Sequence, residues 1–153
     1  MSTLAPSAEA AAPRKVDQLL AHYEESHRHP TNEKIHCVAI PLIMVSLLGL
    51  LFALHPWVAY GFVLASLVYY ARLSGIFLAA MTLLSALGLV LVHAMGEHVL
   101  SISAAIFLLA WIGQFVGHKI EGRKPSFFED LQYLWVGPMF VLSRLFLKLG
   151  IRW

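Results

Sequence analysis

The chain has 153 residues, of which 59% are hydrophobic and only 13% are charged, and its mean hydropathy is +0.71. Because soluble domains usually contain about 45–50% apolar residues, this composition indicates a small integral membrane protein with one domain. The net charge of +2 is modest, and the cations flank apolar segments instead of forming a basic stripe with interleaved aromatic residues. We therefore expect no nucleic-acid partner.

The N-terminal region precedes the first apolar segment. Residues 1–15 are rich in small and polar residues and lack the apolar core of a cleavable signal, so we predict a disordered tail followed by one membrane-embedded domain over 16–153. From Val16 to Glu25 apolar residues recur every three or four positions, which predicts a short amphipathic helix. Since Pro30 disfavours helix at the preceding residue, the next helix is expected to be capped by Thr31 or Asn32.

Five apolar segments follow, and a membrane crossing needs about 20 such residues. The second segment, 57–71, is short, and the turn around Arg72 that follows it permits only a tight hairpin with the third. The fifth segment, 131–149, contains Gly137-Pro138 and two cations. We predict an all-α fold, a small polytopic membrane helix bundle with about four spanning helices, an N-terminal amphipathic helix and a broken or interfacial C-terminal helix. The segments are 37–54, 57–71, 75–95, 99–117 and 131–149.

The distribution of cations predicts the orientation in the membrane. Lysines and arginines precede the first span, Arg72 follows the second, and three cations follow the fourth, whereas the other side carries almost none. The positive-inside rule places the N-terminus and the 118–130 loop in the cytoplasm. The expected location is a multi-pass integral protein of the inner membrane in a bacterium or of the endoplasmic reticulum in a eukaryote.

Histidines stand at the cytoplasmic ends of two spans. His27 and His36 flank a proline-containing turn before the first span, and His118 ends the fourth. Unprotonated imidazole binds zinc, iron, copper and nickel. Glu121 would share the helix face of His118, and two or three histidines with a carboxylate are typical of non-haem Fe(II) oxygenases. The alternative is that these histidines are interfacial residues that cap helices and contact headgroups.

The remaining histidines are expected to have other roles. His22, His29 and His55 fit the interfacial interpretation better than a metal site. In a continuous helix the 20 residues from His98 to His118 span about 30 Å, so neither His93 nor His98 can share an ion with His118 within one chain. His93, inside an apolar segment, requires a polar partner.

Three motifs resemble one known family. They are Tyr23-x3-His27-x4-Asn32-x3-His36, then Ile40-Pro41, then WIGQFVGH ending at His118 and followed by Glu121 and Pro125. Together they resemble the Mpo1-like family of small multispanning proteins.

The resemblance implies an Fe(II)-dependent dioxygenase that shortens a long-chain 2-hydroxy fatty acid by one carbon with O2. It implies catalytic metal ligands at His27, His36 and His118 and a supporting Asn32. The chain is one residue shorter than the family pattern between histidine and proline, which leaves the exact role of Glu121 open.

The sequence leaves alternatives open for two cations and for the function. Arg123 and Lys124 could attract the substrate carboxylate, or they could be the solvated positive flank of the membrane segment. The same ligands would suit a zinc-dependent membrane hydrolase, and His93 with Gly137-Pro138 hints at a non-catalytic transporter or scaffold. The expected partners are the 2-hydroxy fatty acid, O2 and the lipid bilayer, and the sequence leaves homo-oligomerisation open.

Overall fold

The computed structural model describes residues 12–25, 27–122 and 133–153. Residues 1–11 of the predicted tail lie outside this part of the chain. Within it the secondary structure is entirely helical, which confirms the predicted all-α class. The helices are α1 (Lys15–Glu24), α2 (Pro30–Leu54), α3 (Pro56–Ala71), α4 (Gly75–Ala94), a 3₁₀ turn (Gly96–His98), α5 (Val99–Glu121) and α6 (Val136–Leu149).

Three helices in the described residues are long and apolar enough to cross a membrane, namely α2, α4 and α5. Helix α3 has 16 residues and is about 24 Å long at 1.5 Å per residue, which is shorter than a typical crossing. Their outer faces carry exposed leucines, among them Leu83 at 71% and Leu109 at 69% exposure. Such a surface fits lipid contact and not contact with water. The three long helices together with the shorter α3 make up the predicted set of about four.

Helix α2 is the central element, because α3, α4, α5 and α6 all pack against it. Its contact with α5 is the closest: a Cβ atom on Gly49 would overlap the hydroxyl of Ser103 on α5. Small residues at such a crossing let two membrane helices approach backbone to backbone. The up-and-down order of the helices brings the start of α2 and the end of α5 to one end of the bundle.

Helices α1 and α6 close that same end. Val16, Leu20 and Tyr23 of α1 belong to one buried cluster with Val136 and Phe140 of α6. With 14 residues, α6 is about 21 Å long and too short to cross the hydrocarbon.

An ion cluster ties α6 to its neighbours. Arg144 of α6 contacts Glu24 of α1 at 2.7 Å and Glu33 of α2 at 3.0 Å. Its guanidinium also lies 4.8 Å from the centre of the Phe140 ring, within the range of a cation–π contact. These contacts hold α1 and α6 across the start of α2.

The N-terminus of α2 differs from the prediction. The capping residue is His29, and not Thr31 or Asn32, and its Nδ1 accepts a hydrogen bond from the Thr31 amide at 3.2 Å. Pro30 then occupies the first helical position, where its fixed φ and missing amide hydrogen suit a helix start. Asn32 is thereby placed inside the first turn, fully buried.

Gly137-Pro138 does not break the last helix. Helix α6 begins at Val136 and continues to Leu149, so both residues lie in its first turn. Amides in a first turn have no intrahelical acceptor, and proline therefore costs no hydrogen bond there. Gly137 is needed for packing, because a Cβ on it would lie 3.3 Å from Ile40 Cδ1 and 3.5 Å from Tyr23 Oη.

Candidate metal centre

Three histidines meet where α2 begins and α5 ends. His27 lies in the α1–α2 connection, His36 in the second turn of α2 and His118 in the last turn of α5. All three are buried, at 2%, 0% and 6% exposure. One ring nitrogen from each lies within 4.8 Å of the others, so the three can hold one metal ion. The structure thus brings together the three histidines that the sequence predicts as metal ligands.

Hydrogen bonds set the ring tautomers of two of these histidines. Nδ1 of His27 is 2.8 Å from the carbonyl oxygen of Tyr23, and Nδ1 of His36 is 3.0 Å from the carbonyl oxygen of Asn32. A carbonyl can only accept, so each Nδ1 carries the proton and donates it. In the neutral ring the lone pair is then on Nε2, the arrangement that commonly orients metal-bound histidines.

Aromatic side chains enclose the histidine group on one side. The Tyr23 ring stacks on the His27 ring, with centroids 4.2 Å apart and planes 10° apart. Phe140 of α6 lies 5.7 Å from the same imidazole. These contacts fix the orientation of a histidine that lies outside any helix, and they screen it from water. Tyr23 appears in the sequence motif, but Phe140 could not be found from spacing because it comes from α6.

Glu121 occupies a position beside the histidines, not among them. Its carboxylate accepts hydrogen bonds from the backbone amides of Arg28 at 3.0 Å and His29 at 2.9 Å, and from the side-chain amide of Asn32 at 3.0 Å. A carboxylate at the start of a helix is favoured by the helix dipole. Glu121 therefore joins the end of α5 to the segment that carries His27.

The glycine of the QFVGH motif, Gly117, lies where α5 packs closely against α2. A Cβ atom at this position would overlap Oδ1 of Asn32 and would lie 3.3 Å from Cε1 of His36. The absence of a side chain lets α5 approach α2 closely enough for His118 to reach the other two histidines. Gln114, one turn earlier on α5, is also buried, at 4% exposure.

The other histidines are placed apart from this group. His29 and His55 cap α2 and α3 through their side chains, which agrees with the capping interpretation. His93 receives the polar partner that was expected, because its Nε2 lies 3.2 Å from the Tyr60 hydroxyl. The continuous helix Val99–Glu121 separates His98 from His118 by about 30 Å. Arg123 and Lys124, for which the sequence leaves a carboxylate contact or a solvated flank open, lie outside the described residues.

The fold and the site together define a small polytopic helical membrane protein with a buried three-histidine group. Over residues 14–149 the chain matches the family described as "2-hydroxy-palmitic acid dioxygenase Mpo1-like". Because that match covers most of its length, the chain belongs to the Mpo1-like family, and the resemblance found in the sequence motifs is confirmed.

A curated relative gives the comparison more detail. The chain is 30% identical over 138 residues to 2-hydroxy-palmitic acid dioxygenase MPO1 of Saccharomyces cerevisiae. The alignment covers 86% of this chain and 79% of the yeast protein. No solved structure matches the chain significantly.

Proposed function

We propose that this protein is an Fe(II)-dependent dioxygenase that converts a long-chain 2-hydroxy fatty acid into the fatty acid one carbon shorter. The observation that carries the proposal is the buried group of His27, His36 and His118, whose nitrogens lie within 4.8 Å of one another. The similarity to the yeast protein, a 2-hydroxy-palmitic acid dioxygenase, supports the reaction class.

Three imidazoles can bind iron, but they do not by themselves select iron over other metals. Imidazole nitrogens bind zinc, copper, iron and nickel, but zinc has no redox chemistry, so a dioxygenase requires one of the others. We propose iron, held by Nε2 of His27 and His36 and by the ring of His118. When bound, iron would supply the site for O2 and its reduction.

The overall reaction balances with O2 as the only oxidant. A 2-hydroxy acid R–CH(OH)–COOH and O2 give R–COOH, CO2 and H2O. The bond between C1 and C2 breaks, the hydroxyl-bearing carbon becomes the new carboxyl carbon, and the old carboxyl carbon leaves as CO2. The substrate loses four electrons and O2 gains four, so no external reductant is needed.

The chain's own residues would position the reacting groups. Tyr23 and Phe140 shield His27 from water, and Glu121 with Asn32 holds the connection that carries it. We propose Glu121 and Asn32 as positioning residues and not as ligands. Arg123 and Lys124 stay open between a contact with the substrate carboxylate and the solvated positive flank of the membrane segment.

The reaction is tested with purified protein, Fe(II), O2 and 2-hydroxy fatty acids, with lipid products measured by mass spectrometry. We expect an acid one carbon shorter and no product from the same chain without its 2-hydroxyl. The hydroxyl helps to hold the reacting carbon in place, and loss of such orientation costs several kcal/mol. An oxygen-independent product, or no product from iron-loaded protein at any chain length, would contradict the proposal and favour a hydrolase or a transporter.

We further propose that both termini of the described chain face the cytoplasm. Trp153 lies against α1, with its indole N–H donating to Asp17 at 3.2 Å, and α6 is too short to cross. A reporter fused after Trp153 and one inserted at Glu97 should therefore report opposite compartments, the first of them cytoplasmic. If both report the same compartment, the proposed topology is wrong.

A further inference from the structure

A second feature of the bundle is an apolar cavity lined by α2, α3, α4 and α6. Its volume is about 490 Å³, within the range typical of small-molecule sites. The walls are almost wholly aliphatic or aromatic. The hydroxyl of Ser66, one of the few polar groups, donates to the Phe62 carbonyl at 2.8 Å and accepts from Trp135 Nε1 at 2.9 Å. The cavity therefore suits an apolar ligand.

One end of this cavity lies next to the histidine group. Ile40, which lines it, is one helical turn after His36 on α2. Pro138 lines the same end, and the neighbouring Gly137 lies where Ile40 and Tyr23 meet. Tyr23 in turn stacks on His27. Ile40 and the Tyr23–Gly137 contact therefore lie between the candidate metal ligands and this end of the cavity.

The length of the cavity matches a long hydrocarbon chain. Along α4 its lining extends from Met81 to Leu91, ten residues that rise about 15 Å. An extended chain advances about 1.2 Å per bond, taking the span of an extended residue over its three backbone bonds. The cavity can thus hold about twelve consecutive bonds. Its far end is lined by Leu48, Gly88 and Leu91.

We propose that this cavity holds the acyl tail of the 2-hydroxy fatty acid and that its far end sets the longest chain the protein accepts. The inference rests on the proposed function, which supplies the head group at the histidines. A chain with its carboxyl end at the metal centre would enter past Ile40 and end near Gly88.

The proposal is tested by a substitution that fills the far end of the cavity. In Gly88→Leu the new side chain would project into the cavity, because a Cβ on Gly88 contacts only Leu48 Cδ2, at 3.2 Å. Activity on the longest substrates should fall at least about tenfold, the usual cost of a misfitting apolar group, while activity on shorter chains stays within about twofold of wild type. Ser85→Phe, one turn closer to the histidines, should move the preference to still shorter chains.

A matched control is available on α3. Gly61 is also a glycine inside an apolar helix at similar depth, but a Cβ there contacts nothing within 4 Å and the residue does not line the cavity. Gly61→Leu should leave chain-length preference unchanged. Equal shifts in both variants, or none in Gly88→Leu with full activity, would overturn the inference while leaving the proposed function intact.

A binding measurement that needs no turnover separates the proposed tail site from the proposed reaction. A 2-hydroxy fatty acid with a photoreactive diazirine at its terminal carbon is bound to the protein in phospholipid bicelles, irradiated, and mapped by mass spectrometry. Labelling of the α2 and α4 peptides that contain Leu48 and Gly88, suppressed by excess unlabelled 2-hydroxypalmitate, supports the inference even if no product forms. Labelling only on the outer faces, or labelling suppressed equally by phospholipid alone, would overturn it.

Discussion

His36→Ala is expected to lower the metal content of anaerobically purified protein at least tenfold and to abolish lipid turnover. His36 is fully buried, its Nδ1 lies 3.0 Å from the Asn32 carbonyl oxygen, and its ring contacts the rings of His27 and His118. Replacing a residue that only supports a ligand typically costs about 10–100-fold in metal affinity. Removing one of three ligands should cost at least that much. Elemental analysis by mass spectrometry measures the metal bound per chain.

His93→Ala is the matched control for this experiment. His93 also lies in an apolar helix and also places its Nδ1 against the carbonyl four residues earlier, Leu89, at 2.7 Å. It lies at the opposite end of the bundle, so its loss should leave metal content unchanged. Full metal content in the variant with alanine at His27, His36 and His118 would show that the metal centre lies elsewhere.

Glu121→Gln should give a metal content between that of wild type and that of His36→Ala. The carboxylate accepts three N–H groups, whereas a glutamine side chain accepts through one oxygen and brings an NH2 group that repels a neighbouring donor. The connection carrying His27 should loosen, while all three imidazoles remain. Metal loss as complete as in His36→Ala would instead indicate that Glu121 is a ligand.

The histidine group could be predicted from the sequence, because its positions follow from local spacing and from the number of spans. A proline-containing turn places His27 and His36 close together, and counting spans brings His118 to the same end of the bundle. The distribution of cations and the length of the apolar segments predict these positions before any packing is known. His98 is too far from His118 to share an ion with it, because α5 is continuous.

Other features depend on tertiary contacts that no local pattern contains. Glu121 was placed on the face of His118 by its spacing, but its partners are amides 92 and 93 residues earlier in the chain. Gly137-Pro138 resembles a helix break in sequence, yet Gly137 serves the close packing of α6 against Ile40 and Tyr23. The sequence predicts Thr31 or Asn32 as the cap of α2, because serine, threonine, aspartate and asparagine dominate such positions, and it assigns His29 only the general interfacial or capping role.

Gly117→Ala is the second change with a large expected effect. The added Cβ would overlap Oδ1 of Asn32 and press on His36, in a layer where Asn32 is fully buried and held by Glu121. Either α5 moves away from α2 or the Asn32–Glu121 hydrogen bond breaks. Overpacking and loss of a hydrogen bond to a charged group together should lower the free energy of unfolding by about 2–5 kcal/mol.

Gly113→Ala on the same helix provides the comparison that isolates this contact. Gly113 lies one turn before Gly117, and a Cβ on it would meet only Ile35 Cγ2, at 3.9 Å, an ordinary packing distance. In a helix interior alanine is favoured over glycine by about 0.5–1 kcal/mol, so this variant should be as stable as wild type or slightly more stable. Thermal unfolding in detergent, with metal content measured in parallel, distinguishes the two variants. Because the same contact aligns His118 with His36, Gly117→Ala should lose metal as well as stability, and normal metal binding in that variant would show that the α2–α5 spacing does not determine the site.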